Sequence, residues 1–211
     1  MTDALDHVAV PAGDLLGRVD DLLARFGAPD DDPVWPLLRR VRALPGEAVS
    51  ALAAALRAAP VASAGDEMRA RSAAFAGAQA VAATPVPWDG PAGEAYAAHG
   101  GRLSADLAAA GDALFATGRL ADEVADWIDR TRARLARVLA DVLASAEAVS
   151  VVLGADDAAR AAATIATRVL STLDVAISDG ETLWRPPTVG RGATAGAQFP
   201  ASYERITRLG G

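Results

Sequence analysis

The 211-residue sequence has no cysteine and only two histidines. That excludes disulfide frameworks, thiolate metal sites and cysteine nucleophiles, and it leaves little material for general-base or metal chemistry. Lysine is absent as well, so all 20 basic residues are arginine, and 27 acidic residues outnumber them to give a net charge of -7. A balance of that sign argues against nucleic acid or an anionic membrane as the main partner, because both need a basic face. The N-terminus, Met1-Thr2-Asp3-Ala4-Leu5-Asp6-His7, lacks the basic and apolar regions of a Sec-type signal peptide. No apolar run approaches the ~20 residues of a membrane span. The most apolar stretch, Val149 to Leu153, stops at Gly154, so no transmembrane segment is expected. Aromatics make up only 5% of the chain. What is abundant is alanine, about a quarter of the residues, with leucine next, and 52% of the chain is hydrophobic. This composition favours long helices with enough apolar surface for a core.

The apolar spacing divides the chain into helices. Leu15, Leu16, Val19, Leu22, Leu23 and Phe26 predict a helix over Asp14 to Phe26 that ends at Gly27 and Pro29. Asp32-Pro33 starts a second, with Leu37, Leu38, Val41 and Leu44 as its stripe. Glu47 to Ala59 and Asp66 to Ala83 read as a third and a fourth, the fourth resting mainly on alanine propensity. The N-terminal helices thus occupy 14–59. Thr84-Pro85-Val86-Pro87-Trp88-Asp89-Gly90-Pro91 then breaks the pattern as a sharp turn. Beyond it a heptad seam runs through Leu103, Leu107, Ala110, Leu114, Thr117, Ala121, Val124, Ile128, Thr131, Leu135, Val138, Val142, Ser145, Val149 and Val152. Unbroken over 91–153, it would form a rod of roughly 90 Å, with Gly100-Gly101 a place for a kink. A return helix is expected over 156–178, and the Pro/Gly-rich residues 179–211 read as an irregular tail after a helical domain of residues 1–178.

Few residues offer chemistry. His7 and His99 have no identifiable partners, so neither is assigned as a base. Asp30-Asp31-Asp32 precedes a helix start, where acidic side chains cap free N–H groups. Gly190-Arg191-Gly192-Ala193-Thr194-Ala195 matches a relaxed dinucleotide fingerprint but lacks the flanking strand and helix. Arg130, Arg132, Arg134 and Arg137, with Asp126 four residues before Arg130, read as a solvated charged face. No catalytic residue, metal ligand or cofactor is assigned, and the chain is expected not to be an enzyme.

The informative element is Trp88-Asp89-Gly90, placed between an alanine-rich helix and Pro91-Ala92-Gly93-Glu94-Ala95-Tyr96, which opens the heptad helix. Residues 64 to 150 resemble the WxG hairpin proteins of type VII secretion systems in actinobacteria, in which an aromatic follows the glycine by about six residues, as Tyr96 does here. The resemblance implies an all-α fold, an elongated helical bundle built on a Trp-x-Gly helix-turn-helix hairpin spanning 64–153. It also implies pairing into a four-helix bundle, as a homodimer or a heterodimer within the family, and contact with a secretion machinery. Export would follow a non-Sec route to the cell envelope or beyond, with a cytoplasmic stage first. Trp88, Gly90 and Tyr96 would shape the turn, while Leu114, Val124, Ile128, Leu135 and Val142 would bind along the seam. The chain departs from the small family members in its length, in its short arm before the turn, and in lacking any Tyr-x-x-x-Asp/Glu motif: Gly100 follows Tyr96 by four residues and Thr207 follows Tyr203 by four. Two alternatives stand beside a secreted substrate or structural partner. One is the trafficking domain of a polymorphic toxin that continues past residue 211. The other, favoured by the missing tyrosine motif, is a cytosolic helical adaptor or chaperone.

Overall fold

The computed structural model describes residues 4–50 and 62–183. Among the described residues the fold is all-α. Helix α1, Ala4–Phe26, begins well before the predicted Asp14 and runs through Pro11. An interior proline removes one backbone bond. The extension persists because Leu5 and Ala12 continue the buried stripe of Leu15, Leu16, Val19 and Leu23. His7 therefore stands exposed on a helix, ahead of the predicted start. Helix α2, Val34–Val41, starts where the Asp32 carboxylate accepts the Val34 N–H at 2.9 Å. It ends at Arg42, which is left-handed (φ 54°), so Leu44 falls beyond it and is exposed rather than on the expected stripe. The chain then turns at Gly46 (φ 90°), whose missing side chain lets the backbone sit against Ala24 and the Asp20 carbonyl. Asp20, buried on α1, accepts the N–H groups of Val49 (3.3 Å) and Ser50 (3.0 Å) and the Ser50 hydroxyl (2.6 Å). The remainder of the predicted 47–59 helix lies outside the described residues.

Helix α3, Ala62–Ala82, and helix α4, Pro91–Leu143, form an antiparallel pair across the turn. At 53 residues, α4 is about 80 Å long, and it runs helical through Gly100-Gly101. The expected rod over 91–153 is interrupted at Ser145 (φ -85°, ψ 158°), whose hydroxyl donates to the Val142 carbonyl and accepts the Ala148 N–H. A serine on the seam thus caps a new helix, α5, Ala146–Leu153, which ends at left-handed Gly154. Helix α6, Ala158–Leu183, extends past the predicted stop at Ser178. Local Asp-Gly chemistry is overridden there by tertiary contacts, since Gly180 packs under the Trp127 indole, Asp179 pairs with Arg134 and Glu181 with Arg40.

Two regions follow from this packing. The body comprises α1, α2, α5, α6 and the C-terminal third of α4, with Leu16, Val19, Leu135, Leu139, Ile165, Val169 and Leu170 at its centre. Helices α1 and α6 pack on the lower part of α4, where Thr131, Leu135 and Val142 are buried. Past the break, Val149 and Val152 are exposed, contrary to the expected seam. Helix α6 is long and apolar enough to cross a membrane, with a mean hydropathy of 1.2 over its most apolar 18 residues, but half of that stretch is buried in the body. Arg168 and Asp174 carry ion pairs on it, and its apolar side is the centre of the body. The arm is α3 laid along the first part of α4.

Candidate functional site

The turn at the tip of the arm is built residue by residue. Thr84 closes α3, its hydroxyl donating to the Ala80 carbonyl at 3.1 Å. Pro85 and Pro87 hold the next residues out of helical geometry, and the Trp88 N–H donates to the Val86 carbonyl at 2.8 Å. Gly90 has φ 86° and ψ -176°, a region open essentially to glycine alone. Its carbonyl accepts the Glu94 N–H as α4 begins, with Pro91 in the first turn. Gly93 is equally constrained: a Cβ there would overlap the Trp88 carbonyl. With the backbone so placed, the Trp88 ring lies 5.5 Å from the Tyr96 ring at a tilt of 55°. This geometry is favourable for paired aromatics. Both rings face solvent, Trp88 being 61% exposed and Tyr96 49%. On the other side of Tyr96 a shallow hollow of about 350 Å³ runs between Ala82–Val86 and Gly100-Gly101.

Below the tip the arm is held by small residues and ions. Gly118 lies against the Gly65 carbonyl and Met68, Gly111 against Ser72 and Phe75, and Gly100 against the Ala82 carbonyl. The Ser72 hydroxyl donates to the Gly111 carbonyl at 2.9 Å. At the base, Arg69 bridges Asp66 and Asp122, and the hydrogen bonds it donates to those carboxylates, Asp66 first, hold its guanidinium above the ordinary arginine range. Among the described arm residues only Gly65, Gly111 and Gly118 are buried. Val81, Leu103 and Phe115 are exposed, while Met68, Phe75, Leu107 and Leu114 are half-buried.

Of the sequence-predicted site residues, Trp88, Gly90 and Tyr96 come together at the tip. Leu114, Val124 and Ile128 are half-buried along α4. Leu135 and Val142 are corrections: both are fully enclosed in the body by α1 and α6, so neither is available to a partner. Gly93, the arm glycines and Trp127 were not singled out as site or packing residues. The signal was present in a seven-residue recurrence of the smallest side chains, 65 to 72, 93 to 100 and 111 to 118. Trp127 flanks the seam, and its indole N–H donates to the Ala176 carbonyl at 2.8 Å.

His99 is exposed on the arm, and among the described residues no group of three or more potential metal ligands occurs. Asp30, Asp31 and Asp32 line a shallow depression with Trp35 and Arg39, and Asp32 serves as the expected cap. Arg132 and Arg134 are engaged by Asp6 and Asp179, and Arg119 pairs with Glu123 one turn along α4. The glycine fingerprint at 190–195 lies outside the described residues. Comparison of the chain with family models, curated proteins and solved structures gives no match.

Proposed function

We propose that this protein is a non-enzymatic, type VII secretion-associated helical protein that pairs through its arm with a helical partner. The observation that carries the reading is the arm itself. Two helices joined by a Trp-x-Gly turn bury only glycines among the described arm residues, while Phe115, Leu103, Val81 and the Trp88–Tyr96 pair face solvent. A helix pair with no enclosed large side chains has little apolar burial to offset its ordering entropy. A second helical hairpin laid along the arm would supply that burial in the arrangement of a four-helix bundle. Exposed apolar side chains grouped on one element are also a usual mark of an interaction surface.

The test is fractionation of cells that express the tagged chain, with and without the secretion ATPase. Loss of extracellular or envelope-associated protein on ATPase deletion, and the same loss with Trp88→Ala or Gly90→Ala in a chain whose body stays folded, is the expected result. Retention in the cytoplasm in every strain would overturn the secretion reading and favour a cytosolic adaptor that uses the same arm.

A further inference from the structure

At the end of the body remote from the arm, α1 and α5 enclose a second apolar feature. A groove of about 400 Å³ is lined on α1 by Pro11, Leu15 and the charged pair Asp14 and Arg18, and on α5 by Val149, Val152 and Leu153. Leu153 is 76% exposed, and Val10 beside the groove is 71% exposed. The patch therefore has both a projecting leucine and a hollow to receive one.

We propose that this end of the body is a self-association surface, occupied by a second copy of the same chain related by a two-fold axis. The charges select that occupant. Asp14 and Arg18 lie one turn apart on the stripe of α1 that lines the groove, so a second α1 crossing antiparallel sets Asp14 against the other copy's Arg18 and Arg18 against its Asp14. Leu153, on the same patch and 76% exposed, falls inside that contact. An isologous contact requires this self-complementarity: one patch must carry both members of each interacting pair. The wider chain, at net charge -7, repels its own kind, whereas this patch contributes one charge of each sign and is neutral. Arg18 is exposed at the groove, where its guanidinium donates to the Val152 carbonyl at 3.3 Å and keeps further N–H groups for a carboxylate. Two stripes of about two turns each form a small contact, so the dimer belongs to the weak, concentration-dependent class.

The test is sedimentation equilibrium of the full chain from about 1 to 300 μM, with circular dichroism confirming the fold of each variant. Leu153→Asp should weaken association by roughly tenfold to a hundredfold, the range for one well-buried leucine. Asp14→Arg alone should weaken it, and Asp14→Arg combined with Arg18→Asp should restore it, because the exchanged pair is again complementary across the axis. Phe115→Asp, on the arm, should leave it unchanged. A wild-type chain that stays monomeric to 300 μM would overturn the proposal. So would a dimer that responds to Phe115→Asp and not to Leu153→Asp, and that outcome would support arm pairing instead. Failure of arm pairing with preserved sensitivity at Leu153 would leave this surface standing and remove the other.

Discussion

Gly90 and Gly93 show how much of the tip depends on missing side chains. Alanine at 90 would have to adopt φ 86° with an extended ψ, a strain of about 1–3 kcal/mol, and alanine at 93 would strike the Trp88 carbonyl. We expect either substitution to speed amide exchange across 84–96 and to separate Trp88 from Tyr96, seen as a red-shifted tryptophan emission, with exchange in α6 unchanged. Asp20 acts in the opposite way, through a side chain that must be present. Its carboxylate satisfies two N–H groups and a hydroxyl at a buried helix start. Asp20→Ala should therefore lower the urea unfolding free energy by about 1–3 kcal/mol, with Asp20→Asn in between. Glu147 links the fold to pH. Its own backbone N–H and then Arg168, paired with it at 3.1 Å, hold its carboxyl below the ordinary 4.5. A depressed folded value contributes stability that is present above the unfolded value and is lost as pH falls through the folded one. The melting temperature should consequently decline as pH drops below about 4.5, and Glu147→Gln should reduce that slope without altering it near neutrality.

At the scale of elements, the arm is packed by what its helices lack. The axes approach closely at Gly65, Gly111 and Gly118, and Gly118→Leu should force them apart, raising protease sensitivity in α3 while the body resists cleavage. Helix type was legible over most of the described residues, from apolar spacing with alanine propensity in α1, α2, α4 and α6 and mainly from propensity in α3. Boundaries failed where distant contacts decided them. Leu5 and Ala12 reach the core and carry α1 through Pro11, and Trp127 over Gly180 carries α6 through an Asp-Gly signal. The break at Ser145 was hidden for a related reason: a seam serine keeps heptad spacing whether it continues a helix or caps a new one, and only the packing of α5 on α6 distinguishes the two. At the candidate site, Trp88, Gly90 and Tyr96 were readable because turn chemistry is local. Leu135 and Val142 were not separable from Leu114 by period alone, since a heptad reports that a face is apolar and not which neighbour covers it.

At the scale of the molecule, Trp127 marks the junction. Toward the tip from it, Arg69 bridges Asp66 and Asp122 across the arm. Beyond it, Thr131 is the first residue of α4 buried in the body. The indole fills the space beside Gly180 and donates to Ala176, fastening α4 to α6 where the two regions meet. Because apolar burial is concentrated on the body side, the arm and body should open as separate units, each with its own free energy. Native-state hydrogen exchange should therefore show amides over 66–118 opening at low denaturant and those of α6 only near global unfolding. Trp127→Ala, which removes a ring contact and leaves the Ala176 carbonyl without that donor, should lower the second value by about 1–3 kcal/mol and leave the first unchanged. Equal protection in both regions, or equal loss in both on substitution, would mean that α4 transmits stability along its whole length and that the arm is ordered without a partner. A low, independent arm value is what a surface completed by another helix pair requires, since the partner's burial then sets whether the tip is held or free.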